Sequence, residues 1–497
     1  MTRVITIFIF IFYISFGNRL HAQNSDLVLS LTDAIRIAQQ QSPDALMAKH
    51  KFRSSYWKYR SFRATYLPGV QIGATLPNLN RSIEAITMPD GSSDYVPRSY
   101  LNYSFDLSVN QRIGLTGGEV FVNSSFGQTS NYYTDTTTKQ FLSNMVNIGI
   151  RQPVFAYNPY KWEKRIEPLK YDEAKRIYLE NNEQVAIVTI NRFFNLLTAQ
   201  IEKEIAETNY HNYDTLYKIA KGRYNLGKIA ENELLQLELN LLKAESALEL
   251  SELNYNNNLF LFKSYLRLKD NYNITLIPPV VTSFFDISLE KAIAEAKNNT
   301  STGLQFKRRI LEAESQVNQA KMNGRFDAQI YAQFGLTQTS DNIKEAYRYP
   351  LDQERVTIGI TLPLLDWGKA RGNIKMAESN RDLVETSIEQ EKIDFEQNIY
   401  LQVMQFSMQK KQLYIAAKSD TVAKKRFEVT HKRYMIGKVN DVLELNNAQI
   451  DNDNAQKGYI TSLKSYWINY YKLRKMTLYD FENNLPIIIN FDKLINK

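Results

Sequence analysis

A chain of 497 residues with 43% hydrophobic side chains is too apolar for intrinsic disorder and has the material for a packed fold. Its formal net charge of +8 is spread over interleaved acidic and basic residues, which excludes the basic, aromatic-interleaved blocks that read nucleic acid. It contains no cysteine, so no disulfide frames the fold and no N-terminal thiol can be lipidated.

The chain opens on Met1-Thr2-Arg3, a basic start. An apolar run follows from Val4 to Phe16, then a short polar stretch from Gly17 to Ala22 ending in a small residue. That order reads as a secretory signal peptide over 1–22. The run is short of the roughly 20 apolar residues of a spanning helix, which sets aside the alternative of an uncleaved anchor. After Ala22 no run approaches the roughly 18 apolar residues of a transmembrane helix. A membrane-spanning part would then have to be a closed β-barrel.

The rest of the chain repeats itself. Ser30-Leu31-Thr32-Asp33-Ala34-Ile35-Arg36-Ile37-Ala38 returns as Ser288-Leu289-Glu290-Lys291-Ala292-Ile293-Ala294-Glu295-Ala296, 258 residues on, and Gln71-Ile72 returns as Gln329-Ile330 at the same offset. Ile148-Gly149-Ile150-Arg151-Gln152-Pro153 returns as Ile358-Gly359-Ile360-Thr361-Leu362-Pro363, now 210 residues on, as does Arg223-Tyr224-Asn225-Leu226-Gly227 in Arg433-Tyr434-Met435-Ile436-Gly437. Matched segments in one order mark a tandem duplication, repeat 1 over about 30–270 and repeat 2 over about 288–480. The drop in offset leaves 48 extra residues in the first copy, placed either in a hairpin at Leu115-Thr116-Gly117-Gly118 or in longer outer loops.

Before each Pro153/Pro363 position the pattern alternates. Val70 to Ala74, Tyr103 to Asn110, Glu119 to Asn123 and Arg355 to Leu362 all read apolar–polar with period two. That is the strand signal, and also the signature of a barrel strand with one face to lipid and one to the lumen. The expected strand regions are about 69–153 and 325–363. Tyr95, Tyr100, Tyr132, Tyr133, Tyr347 and Tyr349 crowd the flanks, as aromatics do at membrane interfaces. A soluble sandwich edge with surface tyrosines is the plainer alternative.

After those prolines the period changes. Ile187, Ile190, Phe194, Leu197 and Ile201 step by three and four, as do Leu234, Leu237, Leu241, Ala244 and Leu248. The second copy carries Ile399, Val403, Phe406, Leu413 and Ala417. These are seams of long, coiled-coil-like helices. Pro153 to Gly227 and Pro363 to Gly437 each span 74 residues, so a helix filling most of either is roughly 90–100 Å long. The lone glycines Gly227 and Gly437 would turn the chain into helical hairpins, with tips at about 223–230 and 433–440.

The duplication, the Ile-Gly-Ile-x-x-Pro strand exits and the Arg-Tyr-x-x-Gly turns together resemble the TolC family of outer-membrane efflux proteins, over nearly all of 23–497. The resemblance implies a mainly helical fold with a transmembrane β-barrel portion. Coiled-coil hairpins form a periplasmic tunnel, and about four strands per protomer make a 12-stranded barrel in a homotrimer. It implies that Tyr224, Gly227, Tyr434 and Gly437 lie at tips that contact a periplasmic adaptor (membrane fusion protein) serving an inner-membrane pump. Two residues past each turn glycine stand Ile229 and Val439, where well-known members use charged tip locks.

Chemistry is sparse. Glu231, Glu233, Asp441 and Glu444 lie near the tips, and Glu233 and Asp441 are candidates for a lumenal carboxylate ring attracting cations; a solvated helix face is the alternative. His21, His50, His211 and His431 are isolated, without metal-ligand spacing. Gly117-Gly118 lacks the lysine and hydroxyl of a phosphate loop, and Gly437-Lys438 is followed by Val439. No catalytic, cofactor or metal site is expected. The leading function is a passive export duct in the outer membrane. The competitors are an outlet for type I protein secretion and a non-pore periplasmic coiled-coil adaptor or scaffold.

Overall fold

The computed structural model describes residues 25–133, 135–269, 272–281, 284–436 and 442–495. Along the chain β1 (Ser25–Leu29) is followed by helices α1 (Leu31–Gln41) and α2 (Pro43–Ala64). Four strands come next: β2 (Gly69–Thr87), β3 (Ser93–Arg112), β4 (Glu119–Tyr132) and β5 (Thr137–Val154). Then come α3 (Pro159–Asn225), α4 (Glu231–Leu266), β6 (Tyr272–Leu276), α5 (Leu289–Asn299) and α6 (Ser301–Asn323). Strands β7 (Asp327–Ser340) and β8 (Leu351–Thr361) lead into α7 (Lys369–Met435) and α8 (Val442–Thr477). The two halves carry helices of equal length, 67 and then 36 residues in each. A 67-residue helix is about 100 Å long. No described helix is long and apolar enough to cross a membrane.

The chain forms two compact units. The first gathers residues up to 51, 176–300 and 395 onward. Its core is built on the long helices: Ile190, Phe193, Phe194, Leu196 and Leu197 of α3, Phe262 and Leu266 of α4, Phe406 of α7, and Leu463, Tyr470 and Leu473 of α8 are all buried. The step-three-and-four seam of α3 faces this core, as do Ile399, Val403, Phe406 and Leu413 of α7.

The repeated Ser-Leu-x-x-Ala segment has a local explanation in the same unit. Ser30 and Ser288 are the N-caps of α1 and α5, each accepting from the backbone N–H three residues on, Asp33 and Lys291. Ala34, Ala38, Ala292 and Ala296 are fully buried on the inner faces of these short helices. The parallel ladder of β1 on β6 runs alongside.

The second unit, residues 52–175 and 301–394, holds one antiparallel sheet in the order β2-β3-β4-β5-β7-β8. It has six strands where about four were expected. The reason is the extra length of the first copy: β3 and β4, from Ser93 to Tyr132, form a hairpin inserted between β2 and β5, with its turn at Ile113 to Gly118. In the second copy β7 and β8 pair directly. The helices of this unit are tied by charge and aromatic contacts. Arg308 of α6 binds Glu173 of α3 at 2.7 Å, Arg309 binds Glu391 of α7 at 2.6 Å, and Tyr59 stacks on Tyr171 at 4.7 Å.

Candidate pore wall, seam and tip

The sheet has two chemically different faces, set by the period-two pattern and held in register across all six strands. On one face Ile72 of β2 stands opposite Leu107 of β3, and Val109 opposite Val122 of β4. Val122 in turn stands opposite Ile148 of β5, Ile148 opposite Phe334 of β7, and Ile330 opposite Ile358 of β8. Many of these side chains are open to the surroundings: Ile72 is 80% exposed, Val356 71% and Ile360 68%. An exposed apolar face of this kind, broken on β4 by Ser124 opposite Leu107, marks a surface that meets lipid or protein.

The other face carries Ser108, Asn110, Asn123, Asn147, Arg151, Gln333 and Thr357. Its centre is crowded. Phe121 is buried and stacks on Tyr331 at 5.7 Å, with the Arg151 guanidinium over both rings. A Cβ at Gly149 would lie 2.3 Å from the Phe121 ring, and one at Gly335 only 1.7 Å from Asn147 Oδ1. Phe121 owes its burial to Tyr331 and Arg151 packed against it. Exposed tyrosines gather at one end of the sheet: Tyr95 near the start of β3, Tyr132 and Tyr133 at the β4–β5 turn, and Tyr347 and Tyr349 in the β7–β8 loop.

β2 and β8 are the two edges of the sheet, unpaired on their outer sides among the described residues. Open edges carry unsatisfied N–H and C=O groups, which lipid does not tolerate. The helical unit shows a matching incompleteness. Leu401, Met408, Ile415, Val422 and Val429 recur every seventh residue along α7, and all five are exposed. On α4, Leu235, Leu239, Leu242, Leu253 and Phe260 form a second exposed stripe. A strict seven-residue apolar repeat facing solvent is half of a coiled-coil seam.

At the end of α3 the turn is a Schellman motif. Gly227 has φ 67° and its N–H donates to Tyr224 O, while the Lys228 N–H donates to Arg223 O. A small apolar cluster backs this turn: Leu216 and Ala220 of α3, Leu237 of α4, Tyr434 of α7 and Leu445 of α8. The repeat-equivalent tyrosines differ. Tyr224 is 39% exposed, whereas Tyr434 is 4% exposed under the Arg223 guanidinium, with its hydroxyl pKa pushed up by burial. Tyr434 therefore packs the tip from within, and its side chain is not a contact surface. Glu233 lies half-buried in the first turn of α4, where the helix dipole favours a carboxylate. Gly437 and Asp441 lie outside the described residues. Sequence reading missed the heptad stripe of α7, although its spacing at 401, 408, 415, 422 and 429 was there to be counted. Among the described residues no group of three His, Cys, Asp or Glu side chains is placed to hold a metal.

Residues 309–477 match the family model described as outer membrane efflux protein. The second copy of the repeat thus carries the outer membrane efflux protein domain. The chain shares its fold with solved outer-membrane channels. The Campylobacter jejuni CmeC outer membrane channel aligns with a TM-score of 0.64 at 16% identity, over 94% of this chain and 88% of that one. The Vibrio cholerae outer membrane protein VceC aligns at 0.60 and 12% identity, over 90% and 95%. The open state of the Neisseria gonorrhoeae MtrE outer membrane channel aligns at 0.51 and 13%, over 90% and 88%. No curated protein matches by sequence.

Proposed function

We propose that three copies of the chain assemble into a passive duct that docks on a periplasmic adaptor and is driven by an inner-membrane pump. The observation that carries this is the pair of unsatisfied boundaries in one protomer. The open edges β2 and β8 need a neighbouring strand, and the apolar stripes of α4 and α7 need a neighbouring helix. β2 leaves its helix α2 and β8 returns toward α7, so β8 of one copy meets β2 of the next antiparallel, and the ladder continues unbroken. A second copy of the same chain satisfies both boundaries at once by cyclic, heterologous contact.

In this reading the polar face of the sheet lines the lumen and the apolar face meets lipid. The duct needs no catalysis and no cofactor, only a sealed wall and a gate. Tyr224 and Gly227, with Gly437 beyond the described residues, form the adaptor-facing tips, while Tyr434 supports them from inside. Glu233 and Asp441 recur three times each and bias the passage toward cations. The test is planar-bilayer conductance of the detergent-purified protein together with its mass. Trimers with steady, cation-preferring channels that lose the preference in Asp441→Ala support the reading. Channels indifferent to that change discard the carboxylate ring, and a species that never inserts discards the duct.

A further inference from the structure

The hairpin β3–β4 distinguishes the two copies of the repeat. It occupies the extra residues of the first half, and its placement decides the bore of the channel. We infer that it is a wall segment, so that three copies close an 18-stranded barrel, six strands from each, in place of twelve. This inference rests on the trimeric duct proposed above.

Three observations carry it. First, the hairpin is paired along both flanks. β3 lies in ladder with β2 from Ser93 to Asn110, and β4 with β5 from Glu119 to Tyr132. A plug or an extracellular flap would leave β2 and β5 to pair with each other, as β7 and β8 do. Second, the hairpin carries the same two faces as the strands beside it. Phe105, Leu107, Val109 and Val122 continue the apolar face, while Ser108, Asn110 and Asn123 continue the polar one. A segment inside the lumen would be wet on both sides and would not need an apolar face.

Third, the turn of the hairpin is fastened to the base of the sheet. Asn158 Nδ2 donates to Gly114 O at 3.2 Å and Leu115 O at 3.1 Å, Gln152 Nε2 donates to Thr116 O at 3.1 Å, and Gln111 Nε2 donates to Tyr66 O at 2.6 Å. Gly117 takes φ 81° beside Asn158, and a Cβ at Gly118 would sit 2.3 Å from Gln152 Oε1. Two added strands keep the count even, so β8 still meets the next β2 antiparallel. Barrel diameter grows about linearly with strand number, so the bore is about 1.5-fold that of a 12-stranded wall, in the range where natural barrels hold an aqueous channel.

Two experiments on the intact trimer test this. The first compares the exclusion limit for neutral polymers with that of a variant whose residues 88–135 are replaced by Asn-Gly. The polymer is added on the barrel side alone, so that its entry into the barrel and not its passage through the tips is read; the expected limit is about 1.5-fold larger for the full chain, in line with the diameter, and equal limits overturn the wall. Because the shortened chain can fail to assemble, the second uses the full chain and its lack of native cysteine. A charged, membrane-impermeant thiol reagent is expected to reduce current through Ser108→Cys and Asn123→Cys and to leave Leu107→Cys and Val122→Cys unchanged. Reaction on both faces alike places the hairpin in the lumen and overturns the inference while keeping the duct. Absence of any channel overturns the trimeric duct, and the wall with it.

Discussion

Arg474 grips Glu183 through two nitrogens, Nε to Oε2 at 3.0 Å and Nη2 to Oε1 at 3.4 Å, and holds Asp480 through the third at 2.7 Å. The three groups join α3, α8 and the chain just after α8 inside the helical unit. Glu183 is 2% exposed, and the guanidinium also lies over the rings of Tyr470 and Tyr471. A buried charge is tolerated only with its partners in place. Glu183→Ala leaves Arg474 with half its pairing and is expected to cost about 3–5 kcal/mol. Thermal unfolding of the detergent-solubilised protein reads this directly; a loss under about 1 kcal/mol contradicts it.

Asp480 gives the same network a pH signature. Burial opposes its charge, but the Tyr470 hydroxyl, the Asn483 amide and Arg474 outweigh burial and hold the carboxyl below the usual range. A depressed folded-state pKa contributes stability that is present above the unfolded value and is lost as pH falls through the folded one. Burial pushes Glu183 upward against the pull of Arg474, which works with the opposite sign. The readout is therefore the difference between wild type and Asp480→Asn. Their gap in melting temperature is expected to narrow as pH drops below about 4. A gap that is constant with pH rules out this role for the carboxylate.

The two tip tyrosines make a matched pair. Removing Tyr434 opens a cavity under the Schellman turn and is expected to cost about 3–5 kcal/mol, as for other large buried aromatics. Tyr224→Ala changes an exposed side chain and is expected to stay within about 0.5 kcal/mol. Adaptor pull-down should reverse the order, with stable Tyr224→Ala protein losing binding. If Tyr224→Ala binds as wild type does, the tyrosine is not a contact.

The α7 stripe predicts what holds the trimer. Val422→Lys places a charge in the seam between copies and is expected to leave protomer helicity unchanged, because the position is exposed in one copy. Mass measurement in detergent should show monomer in place of trimer. A trimer that tolerates lysine at both Ile415 and Val422 would move the interface elsewhere.

Much of the fold is legible in the sequence, for identifiable reasons. The α3 seam could be read because Ile190, Phe194, Leu197 and Ile201 all meet one core. Ser30 and Ser288 could be matched because an N-cap has few acceptable residues. The strand count was legible only in part: the 48 extra residues offered a hairpin turning at Leu115-Thr116-Gly117-Gly118, as the structure has it, but longer outer loops fitted as well. Alternation at Tyr103 to Asn110 shows a strand but not which neighbours it finds, and pairing is a long-range property. Tyr224 and Tyr434 could not be told apart either, since the same motif is exposed in one copy and packed under Arg223 in the other.

The two faces of β8 answer differently to one added charge. Ile358 stands on the apolar face of β8 opposite Ile330, and its neighbour Thr357 points to the other side, opposite Tyr331. Arginine facing lipid in a transmembrane barrel costs about 2–4 kcal/mol at the bilayer midplane, falling to about 0–1 near the interfaces. Ile358→Arg is therefore expected to lower folding yield into vesicles and the unfolding midpoint in denaturant. Thr357→Arg leaves the wall intact and adds three positive charges to the lumen of a trimer, so it is expected to shift reversal potential toward anions with near-normal stability. Equal destabilisation by both would mean that the sheet has no lipid face at this strand. The opposite order would turn the barrel inside out, with Ile358 lining the passage and Thr357 meeting the membrane.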